Sequence, residues 1–148
     1  MLPDERSGAA GTRRVLLCMG KIYWDLLEKR QELEAEDVAI VRLEQLAPFP
    51  WQGLRAALQP YAEGTPVLWV QEEPRNMGAW HYLKLKTLRE GPLLLERFPL
   101  RGLSRPASAS PATGSLSTHK REQQSLLERA FAQGEEPLTS GKREGDER

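Results

Sequence analysis

The sequence predicts an α/β fold in three layers, a largely parallel sheet flanked by helices, and three observations carry that prediction. Short apolar runs at 14–18 (RVLLC), 38–42 (VAIVR) and 67–70 (VLWV) recur between stretches with helical spacing. Strands that alternate with helices build parallel sheets through right-handed crossovers. The runs are continuously apolar, as strands covered on both faces must be. Finally, PVLWVQEEPRNMGAW (66–80) passes from a buried strand through a polar turn into a helix, and the carboxyl end of such a strand is where ligands or partner domains dock in open α/β sheets.

Taken in order, residues 1–12 combine Pro3, Gly8 and Gly11 with charges and are expected to form a flexible lead-in outside the core. Residues 14–18 form the first strand. Gly20 then turns the chain into a helix whose Ile22, Tyr23, Leu26 and Leu27 recur at helical spacing to about Arg30. The second strand is 38–42, after which Pro48 and Pro50 punctuate the route to a helix over 51–58. The third strand spans 67–71, and a third helix spans 79–89 with Trp80, Leu83 and Leu88 turned inward. A fourth strand is expected at 93–98. Residues 99–114 are rich in Pro, Ser and Gly without the charge density of disorder, which predicts an ordered loop. A closing amphipathic helix covers 118–131, capped by Ser117, with Leu126, Leu127, Ala130 and Phe131 on one side. In 134–148 eight of fifteen residues are charged, so burial cannot offset the entropy of ordering them and a disordered tail is expected. The domain proper is therefore 13–133.

Composition narrows the function. A chain of 148 residues, 39% hydrophobic, holds one core. Twenty-one basic residues balance twenty-one acidic ones, so no excess charge draws the chain to nucleic acid or to an anionic membrane, and no apolar run is long enough to span one. Cys18 has no cysteine to pair with and sits mid-strand, where a thiol is packing material and not a nucleophile. Neither a GxxxxGK[ST] phosphate loop nor a strand-linked GxGxxG is present. His81 and His119 fit helix faces better than a catalytic base. Glu72 and Glu73, adjacent at a strand end, point to opposite faces and so do not make an acid/base pair. Arg97, Arg101 and Arg105 could gather an anion, although a solvated edge is the favoured reading. The candidate contact residues are Glu72, Glu73, Arg75 and Asn76 in one polar loop and Arg105 and Ser110 in the other. The two loops, 72–78 and 104–114, are expected at the surface, meeting each other or a partner.

VAIVRLEQLAPFPW (38–51), LWVQEEPRNMGAW (68–80) and SRPASASPATGSLSTHKREQQSLLERAF (104–131), in this order and spacing, resemble the carboxy-terminal domain of 2-oxoglutarate dehydrogenase, bacterial type. This is the thiamine-diphosphate-dependent first component of the complex that decarboxylates 2-oxoglutarate and passes the succinyl group to a lipoyl carrier. The resemblance implies a fold similar to the transketolase carboxy-terminal domain. It also implies that cofactor and catalytic histidines lie on two upstream domains. No cofactor is then expected on this chain, with thiamine diphosphate and magnesium belonging to the complete enzyme. The implied partners are the remaining domains or subunits of the complex, in a homodimer, located in the bacterial cytoplasm or, in a eukaryote, the mitochondrial matrix. Actinobacterial relatives place an acetyl-CoA regulatory pocket partly on this domain. Gln45 matches one contact there, whereas Gln52 and Gly53 stand where arginines would be, which weighs against phosphate recognition. The reading from another class is a stand-alone, non-catalytic module that binds a partner or a nucleotide.

Overall fold

A computed structural model describes residues 1–4, 11–111 and 114–134. The elements are β1 (Arg14–Cys18), α1 (Ile22–Glu32), β2 (Val38–Arg42), α2 (Trp51–Leu58), β3 (Val67–Pro74), α3 (Trp80–Glu90), α4 (Pro92–Arg97), β4 (Leu100–Arg105) and α5 (Leu116–Phe131). The strands form one sheet in the order β2-β1-β3-β4, and each neighbouring pair is parallel.

Alternation along each strand splits the core in two. Val15, Leu17, Ala39, Val41, Val67 and Trp69 face one layer with Leu54 and Leu58 of α2, Leu83 of α3 and Phe98. Leu16, Cys18, Val38, Ile40, Val70 and Leu103 face the other, with Ile22 and Leu26 of α1 and Leu126, Ala130 and Phe131 of α5. Because both faces are covered, successive residues within β1 (Val15 to Cys18) and β2 (Val38 to Val41) are all apolar, while Arg14 and Arg42 stand at the strand ends. The chain starts on central β1, passes α1 on one face to reach β2, then crosses back by α2 on the opposite face to β3. The connections that leave β1 and β3 therefore diverge at the carboxyl edge, which opens a crevice between them.

Three expectations need correction. Residues 93–98 are not a strand: Pro92 follows Gly91 at the start of a helix, where its missing N–H costs nothing, and α4 carries Leu94 onto the core. The fourth strand is instead Leu100–Arg105, inside the stretch read as loop. Its glycine looks like a breaker in sequence, but the Trp80 ring lies against Gly102, and a Cβ there would sit 2.4 Å from ring carbon Cε2. Leu88 points outward and is 56% exposed, since Leu83 and Thr87 occupy the inward positions of α3.

Smaller differences concern ends. α5 begins two residues before Thr118, and Ser115, not Ser117, caps it by accepting the Thr118 N–H at 3.2 Å. β3 continues past Gln71 to Pro74. Residues 1–4 do not behave as a lead-in: Leu2 and Arg42 exchange backbone hydrogen bonds of 2.9 and 3.0 Å. Asp4 pairs with buried Arg30 and accepts the Ile40 N–H at 2.7 Å. The expected tail beyond residue 134 and residues 5–10 lie outside the described residues. Among those described, no helix is long and apolar enough to cross a membrane.

Candidate functional site

The carboxyl edge of the sheet gathers the polar motifs, and Gln71 organises its β3–β4 half. This buried amide, 3% exposed, accepts from Trp69 Nε1 and from the Trp80 backbone N–H, both at 2.9 Å, through Oε1. Its Nε2 donates to the Met77 carbonyl at 2.7 Å, with the Pro74 and Glu73 carbonyls at 3.3 and 3.4 Å. One side chain therefore closes the turn, starts α3 and fixes the orientation of a core tryptophan. Gly78, with φ of 70°, is required beside it, because a Cβ would meet the amide nitrogen at 2.7 Å. His81 Nε2 lies 3.2 Å from the Arg75 carbonyl on the same turn.

The two motif loops meet each other. Asn76 Nδ2 donates to the Ser108 carbonyl at 2.8 Å and its Oδ1 accepts the Ser108 N–H at 3.0 Å, while the Arg75 N–H donates to the Arg105 carbonyl at 3.0 Å. These bonds extend the β3–β4 pairing beyond the strands proper.

Behind the loops runs a polar chain that joins β4, α5 and α1. Buried Arg105 donates from Nη2 to His119 Nδ1 at 3.2 Å and to Gln123 Oε1 at 3.1 Å, with Glu122 3.8 Å from Nη1. Arg105 Nε is buried without a partner. Gln123 continues to Asp25 at 2.7 Å, and Lys21 spans the crevice to Glu72 at 2.5 Å. The direct hydrogen bond to Glu72 raises the Lys21 pKa above its ordinary value. Arg97 takes no part: it is exposed and lies over the Phe98 ring, so the three arginines do not form one anion site.

The β1–β2 half of the edge is organised differently. Met19, Gly20, Lys21, Trp24, Arg42, Leu43 and Glu44 line an open cleft of about 370 Å³. The Arg42 guanidinium lies over the rings of Tyr23 and Trp24, 4.8 and 5.7 Å from their centroids, and pairs with Glu44. Trp24 is 62% exposed. Gln45 turns back on its own loop, donating to the Pro48 carbonyl at 2.7 Å.

Among the described residues, neither half brings a nucleophile, base and orienting acid together. Cys18 is fully buried, and burial pushes its thiol up to about 12, which removes it as a thiolate near neutral pH. Glu72 is half-buried on Lys21 and Glu73 is exposed. Of the residues singled out from sequence, Arg75, Asn76 and Arg105 come together in the paired loops. Exposed Ser110 is on the same loop, where its N–H donates to Ser108 Oγ at 3.1 Å. Gln45 lies apart from them. Sequence reasoning missed Gln71 as the hub, and the signal was present: an amide directly following four apolar residues must find buried partners. Asp25, Gln123 and Asp4 carried no such signal.

The sequence matches the family described as 2-oxoglutarate dehydrogenase C-terminal over residues 1–131. It is similar to the 2-oxoglutarate dehydrogenase E1 component of Cupriavidus necator, 43% identical over 133 residues, which cover 89% of this chain and 14% of that protein. The E1 component of Haemophilus influenzae is 47% identical over 120 residues, covering 81% of this chain and 12% of that protein. The multifunctional 2-oxoglutarate metabolism enzyme of Mycolicibacterium vanbaalenii is 43% identical over 120 residues, 80% of this chain and 9% of that protein. The chain thus spans a small part of each relative's length. The matched residues include all four strands, the Gln71 turn and the paired loops, and the chain belongs to the 2-oxoglutarate dehydrogenase C-terminal family.

Proposed function

We propose that this chain serves as the carboxy-terminal domain of a 2-oxoglutarate dehydrogenase first component, forming one wall beside the active-site domains and stabilising their dimer. The observation that carries the reading is the family match over residues 1–131, joined to a carboxyl edge whose polar groups are largely committed to one another. Decarboxylation of a 2-oxo acid needs an electron sink that thiamine diphosphate supplies when bound and that side chains do not. The residues here do not fit its magnesium–diphosphate group. Glu72 is held by Lys21, Glu44 by Arg42 and Asp25 by Gln123, while His119 accepts from Arg105. Cofactor and magnesium accordingly belong to the preceding domains. The exposed surface of the paired loops, which carries Glu73, Arg75, Asn76 and Ser110, is the face set against those domains or the second protomer.

The test is an assay of the isolated chain with 2-oxoglutarate, thiamine diphosphate and magnesium. No turnover above a blank is expected, and adding the two upstream domains in trans should restore some. Turnover by the chain alone would refute the division of labour. The cleft beside Trp24 and Arg42 favours the second reading, a stand-alone regulatory module for a nucleotide. Calorimetric titration separates the two, and with Gln45 committed to its own loop no binding of acetyl-CoA is expected.

A further inference from the structure

We infer that the outer face of α3 is a docking surface for an amphipathic helix with acidic flanks, contributed by the polypeptide that precedes this domain in its longer relatives. The inference rests on the reading that such neighbouring domains exist. α3, WHYLKLKTLRE, already buries one side: Leu83 and Thr87 are 0% and 1% exposed, and Trp80 lies on Gly102. A surface helix should be polar on the opposite side. Here that side carries Tyr82, Leu85 and Leu88 at a spacing of three, 38%, 49% and 56% exposed. Three of the eight exposed large hydrophobics among the described residues are thus on this one helix. His81 and Arg89 stand among these three, yet this many large apolar side chains on one exposed helix face exceeds what a solvated face needs.

Charge specifies the occupant. α3 carries three cations, Lys84, Lys86 and Arg89, against one anion, Glu90, in a chain whose net charge is zero. Glu90 is already engaged by Lys86 at 2.6 Å and by Trp51 Nε1 at 3.2 Å, and both contacts hold its carboxyl below the ordinary glutamate range. The apolar stripe is therefore bordered by positive charge, which complements acidic flanks and suppresses basic ones. A second copy would set Lys84 and Arg89 against their own kind, so self-association through this face is disfavoured. The surface is preformed: Gln71 fixes the start of α3 through the Trp80 N–H, and the Tyr82 hydroxyl donates to the Leu46 carbonyl at 3.0 Å. A rigid face loses little entropy on binding. The chain covers 14% of the C. necator relative, so most of such a protein lies outside this domain and is available to cover the stripe.

The full chain should be titrated by fluorescence anisotropy with a synthetic helical peptide bearing leucines at i, i+4 and i+7 and glutamates on their flanks, and with its lysine-flanked counterpart. The acidic peptide should bind, weaken at least about tenfold when salt is raised to roughly 0.5 M, and lose binding in Leu85→Glu and Leu88→Glu. Both substituted positions are exposed, so circular dichroism and melting should be unchanged, which separates lost docking from lost folding. Equal binding of both peptides, or binding that survives both substitutions, overturns the inference. So does binding to phosphatidylserine vesicles without peptide binding, or a dimer in light scattering that Leu85→Glu dissolves. Peptide binding alongside failed complementation in trans would keep this surface while removing the functional reading. Successful complementation without peptide binding would do the reverse.

Discussion

The two halves of the sheet's carboxyl edge hold similar numbers of polar side chains and use them in opposite ways. At the β3–β4 end Gln71, Asn76 and Arg105 reach inward to backbone groups and to α5. At the β1–β2 end Arg42 and Glu44 pair with each other, at the rim of an open cleft, with Trp24 exposed beside them. The conspicuous motif QEEPRNMG is therefore architecture first: its polar residues close a turn and join two loops. A cluster of polar residues at a strand end indicates a ligand only when those residues lack partners within the chain, and the hydrogen-bond pattern decides this where composition cannot.

Substitutions can break or sharpen this contrast, and the largest effect should come from Gln71→Leu. It leaves buried Trp69 Nε1, the Trp80 N–H and the Met77 carbonyl unpaired, which at about 1–3 kcal/mol per orphaned group should cost about 3 kcal/mol or more in urea denaturation. A loss below about 1 kcal/mol would make this end no more tightly built than the other. Next is Gly102→Ala, where the added methyl must push the Trp80 ring aside; overpacking of this kind costs about 1–3 kcal/mol, read as a lowered Tm and altered tryptophan emission. Asn76→Ala removes two exposed loop-to-loop bonds and should cost about 1 kcal/mol, with faster hydrogen exchange at the Ser108 amide as its specific sign. At the opposite end Trp24→Ala should change stability by no more than about 1 kcal/mol, the value of an exposed cation–π contact.

The smallest effect is one of pH. The direct hydrogen bond from Arg42 holds the Glu44 carboxyl below the ordinary glutamate range. A folded-state pKa below the unfolded one makes the pair's contribution complete above the unfolded value, and it is lost as pH falls through the folded value. Since Glu44 is exposed, this should appear in a carboxyl-carbon NMR titration and scarcely in the melting curve. A Glu44 midpoint at or above the ordinary value would remove the pair.

What could be read in advance followed from locality. β1, β2 and β3 are apolar runs bounded by turn residues, and both their type and parallel arrangement follow from pattern alone. β4 did not, because its glycine is explained by a tryptophan more than twenty residues earlier. The apolar residues after Gly91 looked like a strand until Pro92 started a turn of helix. In the site, Asn76 and Arg105 could be singled out as polar residues in loops, but their partners could not. The Gln123–Asp25 bond joins residues 98 apart, and only the folded order β1-β3-β4 brings α1 and α5 together to make it.

The first four residues bear on how this protein behaves at high concentration. Strand β2 is the last strand on its side, and its outward N–H and C=O groups would otherwise be a template on which another chain could add. Leu2 takes both backbone groups of Arg42, and the Asp4 carboxylate takes the N–H of Ile40, so three attachment points along that edge are occupied. Deleting residues 1–4 would expose that row beside the apolar β2 and strand Arg30 without its carboxylate. Such a shortened chain would aggregate through β2 before it unfolded, and a preparation meant to stay monomeric should retain this segment.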